Sequence, residues 1–294
     1  MKTIVCSGDS HTWGQGPAGV ETYFADPAVV AGELRPVPFG YPCYVNLLRD
    51  EINRRSGSTA FETEPKIEIT GDYVTDRSAD LARFYYRYEG HNNIIAESVF
   101  AADGVRETEN AVYVFGDTIT IKPKHRLFLY RCELYSGRYA VINAGVGSCT
   151  TTRYLKQFYK DYVQHHDPCL IIAQAHSIND WLNRVPLSDV KRNLINILNG
   201  CPQAKALLLT VAPIGGKTAL PFNETDYDKY IEESRLAAKS AGCAIADGNR
   251  AIGNDTFSDN WHVNEIGHRV YFETIIDVLD ILFPQFRTQN PDIL

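Results

Sequence analysis

The 294-residue sequence has no C-x-x-C pair, no excess of basic residues, no G-x-S-x-G segment and no apolar run of the roughly 18 to 20 residues that a membrane span needs. Each absence excludes a class. Seven cysteines (Cys6, Cys43, Cys132, Cys149, Cys169, Cys201 and Cys243) are odd in number and widely spread, which speaks against zinc binding or thiol redox chemistry and suits a reduced, cytoplasmic setting. Lys+Arg 29 against Asp+Glu 36 gives a net charge of -7, without the basic face that nucleic acid requires. Without G-x-S-x-G the nucleophile elbow of the α/β-hydrolase fold is not expected. Residues 1–6 form too short an apolar run for a signal peptide, so neither membrane nor extracellular action is predicted. What remains, 44% hydrophobic and 22% charged, is an ordinary globular composition of a length that allows one large domain or two smaller ones.

Short β-rich apolar runs alternate with amphipathic helical patterns, the signature of an α/β fold with a parallel sheet. Strands are predicted at 2–6, 139–143, 169–175, 205–212 and 243–246. Helices are predicted from about 42 to 56, with Gly57 as a stop, from Pro186 to Gly200, and from Asn264 to the Pro284 stop. Between 60 and 137 the period changes. Runs at 66–70, 83–88, 94–100, 111–115 and 126–130 read as consecutive strands, with Gly116-Asp117 as a hairpin turn signal. We therefore expect an α/β domain of residues 1–59 and 138–294, interrupted by an all-β insertion over 60–137 that could serve as a sugar-binding face, a lid or a homo-oligomer surface.

Four segments could carry chemistry. Ser10 follows the first strand in Ser7-Gly8-Asp9-Ser10, at the sheet edge where open α/β folds bind ligands. Alone it is equally a turn or a helix cap. Asp259 stands three residues before His262, ahead of the final helix, a spacing that lets a carboxylate fix one imidazole tautomer while the other nitrogen faces a nucleophile. A lone loop histidine is more often solvated or structural. After two further strands come Ala144-Gly145-Val146-Gly147-Ser148 and His176-Ser177-Ile178-Asn179-Asp180, which could present backbone N–H groups or an amide at the same edge, or be a glycine turn and a helix cap.

Together and in this order, the four blocks resemble the SGNH hydrolases, also called the GDSL esterase/lipase family. The resemblance implies a three-layer αβα sandwich around a parallel sheet, flavodoxin-like, and an esterase that uses no metal or organic cofactor. It implies Ser10 as nucleophile with His262 and Asp259 completing the triad, and an oxyanion hole from the Ser10 and Ser148 N–H groups and the Asn179 amide. Two positions depart from the family pattern, since Ser148 and Ser177 stand where it has glycine. The donor at 148 is a backbone N–H, which a serine could still supply if its φ is not positive.

The three tryptophans, Trp13, Trp181 and Trp261, lie within three residues of a block. Their indoles could simply pack the loops, or line the cleft and stack on a sugar ring. The second possibility points to a saccharide acetyl ester as substrate. A lipid or thioester acylhydrolase of the same family is an alternative. Gly14-Gln15-Gly16-Pro17-Ala18-Gly19 matches a dinucleotide fingerprint, but Pro17, Pro27, Pro36 and Pro38 make its surroundings a loop. Asp9-Ser10-His11 also fits the D-x-H opening of metallophosphoesterases, with His176, Asp180, Asp259, His262 and His268 as further hard ligands, although no G-N-H follows. An inactive homologue that binds sugars or partners is the remaining alternative.

Overall fold

The structure is a computed structural model and describes residues 1–20, 36–71, 73–88, 95–100, 111–114, 119–123, 126–215 and 225–284. Among them, five parallel strands form the central sheet: β1 (Lys2–Gly8), β10 (Tyr139–Gly145), β11 (Leu170–Gln174), β12 (Lys205–Leu209) and β13 (Ala244–Ala246). Their order is β10-β1-β11-β12-β13. Counted along the chain this is 2-1-3-4-5, the flavodoxin-like order, whose ligand crevice opens beside the first strand, between the first and the third.

Both faces of the sheet are covered, so the strands are nearly continuous apolar runs. On one face Ile4, Cys6 and Ile172 pack against Tyr44, Leu48 and Ile52 of helix α2 (Tyr44–Ser56) and Tyr271, Ile275 and Leu279 of the last helix (Glu265–Leu282). On the other, Val5, Ile142 and Ala173 meet Val190, Leu194 and Ile197 of the helix Leu187–Asn199 and Tyr227, Ile231 and Ala237 of the helix Thr225–Ala241. This is the expected αβα sandwich. The helix Thr225–Ala241 was not anticipated from the sequence.

Between α2 and β10 the described residues form antiparallel strands. One sheet runs in the order β2 (Thr59–Thr63), β9 (Leu127–Ser136), β5 (Leu81–Tyr88), β6 (Ile95–Phe100), with β3 (Ile67–Ile69) also on β9. A second joins β4 (Tyr73–Val74), β8 (Thr120–Pro123) and β7 (Ala111–Val114). The Gly116-Asp117 turn lies outside the described residues, but β7 and β8 on either side of it pair antiparallel. Alternation along β5 divides its side chains. Ala82, Phe84 and Tyr86 enter a small core of their own with Leu129 and Leu134, whereas Leu81 joins the large core under the parallel sheet and Arg83 donates to the Asn143 carbonyl of β10 at 2.6 Å.

Candidate active site

β1 ends at Gly8, and the chain turns at once into the short helix α1 (Ser10–Trp13). Gly8 is demanded by close approach: a Cβ there would lie 2.1 Å from Thr12 Oγ1 and 2.3 Å from Gln174 Oε1. Asp9 caps α1 by accepting from the His11 N–H at 3.1 Å, and this puts Ser10 in the first turn, where its own N–H has no intrahelical acceptor. Because β1 lies between β10 and β11, the loops after those two strands flank Ser10 on either side. Gly145 seats the first of them under α1, since a Cβ there would meet the Trp13 nitrogen at 2.2 Å.

The segment before the last helix is pinned by the Phe257–Val263 bridge and by the Ser258 N–H and hydroxyl, which donate to the His262 carbonyl at 2.9 and 3.0 Å. It carries His262 to within 3.0 Å (Nε2) of Ser10 Oγ. Asp259 Oδ2 lies 2.7 Å from His262 Nδ1, while Oδ1 accepts the Trp261 and His262 N–H groups at 2.6 and 2.7 Å. An ionised carboxylate can only accept, so Nδ1 carries the proton and Nε2 is left to accept from the Ser10 hydroxyl. Partial burial pushes the Asp259 carboxyl up, but the His262 hydrogen bond and charge and the two backbone donors outweigh it and hold it at about 2. The sequence-predicted Ser10, His262 and Asp259 are thus in one hydrogen-bonded line.

Asn179 stands in the first turn of the helix Ser177–Leu182, after β11, and its Nδ2 donates to Asp9 Oδ2 at 2.9 Å. An amide nitrogen carries two hydrogens, so one remains to be given elsewhere. Ser148, on the loop after β10, is exposed and has φ of 51°. The condition that its φ not be positive is therefore not met. The turn there is left-handed, a conformation that suits glycine, and a serine adopts it at about 1–2 kcal/mol while keeping its N–H. No hydrogen bond joins Ser148 to Ser10 or Asn179. Ser177 is buried with its hydroxyl 3.2 Å from Ser234 Oγ, so it is taken up by the helix Thr225–Ala241.

Two of the three tryptophans do not line a cleft. Trp13 and Trp181 are 2% and 1% exposed, so neither has a face to offer a sugar. Trp261 is half-buried, its ring 6.1 Å from that of Trp181. The glycines at 14, 16 and 19 have φ of 109°, 118° and 85° and lie at and beyond the end of α1, so they end a helix where a dinucleotide site would open one. Residues 21–35 of that loop lie outside the described residues. Among the described residues no three His, Cys, Asp or Glu side chains are grouped so as to hold a metal ion, and the D-x-H pair is turned inward, His11 Nδ1 lying 3.3 Å from Asp9 Oδ1. No helix there is long and apolar enough to cross a membrane.

Sequence reasoning gave Asp9 only the role of a metal ligand in a rival reading. It is wholly buried; burial pushes its carboxyl up, yet the hydrogen bond and charge of His11, with help from His176, bring it down to about 2. Asp180 was likewise offered only as a possible metal ligand; its Oδ1 accepts from the Thr151 N–H at 2.9 Å and so fixes the start of the helix Thr151–Gln157 beyond Ser148. The adjacency of both to motif residues was the available signal.

No protein-family model and no curated protein sequence matches the chain. Solved structures do. A peptidoglycan O-acetylesterase is 13% identical, with 97% of this chain and 92% of that one covered and a TM-score of 0.57. An alpha/beta hydrolase enzyme from the metagenome of Lake Arreo, Spain, is 14% identical over 96% of each chain, with a TM-score of 0.53. The lipase/acylhydrolase from Enterococcus faecalis is 16% identical over 95% of each, with a TM-score of 0.52. The chain therefore has the fold that these hydrolases share, and the resemblance drawn from its four motif blocks holds at the level of fold.

Proposed function

We propose that the protein is a serine ester hydrolase that works through an acyl-enzyme on Ser10. The observation that carries this is the line Ser10 Oγ, 3.0 Å, His262 Nε2, with His262 Nδ1 2.7 Å from Asp259 Oδ2. Nε2 takes the hydroxyl proton as Oγ attacks the ester carbonyl carbon, and the Asp259 carboxylate stabilises the imidazolium that forms. The Ser10 and Ser148 N–H groups and the second amide hydrogen of Asn179 are the donors for the developing oxyanion. Collapse expels the alcohol, which takes the proton from His262. Water, deprotonated by the same nitrogen, then releases the acid and restores Ser10.

For the substrate we propose a short acyl ester, an acetyl group on a saccharide. Trp261 is the tryptophan with exposed surface beside His262, and one structural neighbour is a peptidoglycan O-acetylesterase. The test is a panel of nitrophenyl and saccharide esters of increasing acyl length, run with and without a fluorophosphonate and a chelator. Wild type should be labelled at Ser10, prefer acetyl to octanoyl and ignore the chelator, and Ser10→Ala should lose both label and turnover. Preference for octanoyl would shift the substrate to lipid-like esters. Chelator sensitivity without labelling would move the protein to the metallophosphoesterases, and neither activity nor label would make it a binding homologue.

A further inference from the structure

His11 follows Ser10 directly, is 1% exposed and has no part in the proposed proton transfers. Its Nδ1 lies 3.3 Å from Asp9 Oδ1 and its Nε2 lies 2.9 Å from the carbonyl oxygen of Trp261, the residue before His262. Both partners are acceptors. A carbonyl oxygen has no proton to give, and the Asp9 carboxyl receives an N–H on each oxygen, Oδ1 from the His11 backbone and Oδ2 from the Asn179 amide, the arrangement of an ionised, acceptor-only carboxylate. A neutral imidazole has one N–H, so one of the two contacts would set lone pair against lone pair in a buried place. With a proton on each nitrogen, both contacts are hydrogen bonds and the buried carboxylate gains a counter-charge.

A second buried histidine shows the contrast. His268, 0% exposed, receives the Tyr44 N–H on Nδ1 at 3.3 Å and faces the Gln15 carbonyl with Nε2 at 3.0 Å. One donor and one acceptor match a neutral ring.

We propose that His11 is a buried imidazolium that clamps the Trp261 carbonyl to the Asp9 carboxylate and so holds the His262 loop against the turn that carries Ser10. The charged and titratable groups around it are Asp9 on its own turn, His262 on the clamped loop (ring centroids 5.5 Å apart), and Tyr271 (6.0 Å) and His268 on the last helix. The chain of bonds runs from Trp261 through His11 and Asp9 to Asn179, so two adjoining side chains link the segment of the general base to that of the oxyanion donor. His11 is a positioning residue. The ionisation stands by itself; the purpose of the clamp rests on the esterase reading.

The test begins with nitrogen NMR of the ¹⁵N-labelled full chain at neutral pH. His11 should show two protonated ring nitrogens and His268 one protonated and one bare; a bare nitrogen on His11 overturns the proposal. His11→Leu, which restores the residue in the family's GDSL name, should fold, displace the His262 ring signals and lower kcat roughly 10- to 100-fold with KM within about twofold. His11→Gln, which keeps one donor for the Trp261 carbonyl, should recover part of that loss. Unchanged His262 signals and unchanged kcat in His11→Leu would remove the positioning role. If no ester is turned over by wild type, the esterase reading falls while the nitrogen and His262 spectra still decide the clamp.

Discussion

Asp259 Oδ2 and His262 Nδ1 lie 2.7 Å apart across three residues of one loop, and the same carboxylate takes two backbone N–H groups on its other oxygen. The loop therefore sets the tautomer as well as the place of the ring. In Asp259→Asn the amide can present an N–H to Nδ1, which would leave the proton on Nε2, facing Ser10 with nothing to accept. We expect a kcat loss of about 10²–10⁴ with KM little changed, and fluorophosphonate labelling slowed to match. Steady-state kinetics on a nitrophenyl acetate would show it; a loss below threefold, roughly, would mean the carboxylate does not govern the tautomer.

Ser148 holds a left-handed turn at φ 51° and is exposed, so no packing rewards the strain. Ser148→Gly relieves about 1–2 kcal/mol of it and gives back part through the greater freedom of the unfolded chain. The net gain should be about 0.5–1 kcal/mol, a rise in Tm of roughly 1–3 °C, with esterase activity retained because the backbone N–H persists. Calorimetry of the two proteins decides it, and a lower Tm for the glycine variant would show that the serine is not strained there.

The five parallel strands were legible because buried strands are continuous apolar runs bounded by turn residues. The candidate site was legible because Ser10 and Asn179 each follow the end of such a strand and Asp259-x-x-His262 stands just before the last helix. The helix Thr225–Ala241 was not, since its inner face is Tyr227, Ile231, Ser234, Ala237 and Ala238, too weakly apolar to mark a period of 3.6 among so many charges. β9 extends to Ser136, well past the predicted 130. Arg131 and Glu133, charged residues beyond that bound, are both buried, with Arg131 2.9 Å from Glu62 and 3.2 Å from Glu133, and Tyr85 and Tyr135 donating to Glu133. Proximity along the chain likewise said nothing of direction for Trp13 and Trp181, which point into the core. The clamp at His11 needed a carbonyl 250 residues away.

Asp180 is buried with Oδ1 on Thr151 and Oδ2 without a partner. Burial pushes its carboxyl up, the Thr151 bonds only partly oppose this, and it titrates at about 7 against an ordinary 3.8. Between those values the folded state holds a proton that the unfolded state has released, so this group makes stability fall as pH rises through that window. Asp180→Asn removes the titration. The stability of the variant relative to wild type should climb from pH 3.8 to about 7, by roughly 1–4 kcal/mol, and then level off. A difference that stays constant across the window in denaturant titrations would show that Asp180 is ionised in the fold.

His268 works in the opposite sense. Burial pushes it down, the Gln15 carbonyl only weakly opposes this, and it titrates at about 3 against an ordinary 6.5. Here the unfolded state binds the extra proton, so the stability that comes from keeping the ring neutral is full above pH 6.5 and drains away as pH falls toward about 3. His268→Gln keeps a donor for Gln15 but loses the acceptor for the Tyr44 N–H, and should be less stable than wild type at neutral pH by about 1–3 kcal/mol. Its deficit should shrink as pH is lowered below 6.5, because only wild type loses the His268 contribution there. From pH 3.8 to 6.5 the Asp180 and His268 slopes oppose one another, so each single variant should tilt the wild-type stability profile in its own direction. Parallel profiles for the three proteins would exclude both titrations.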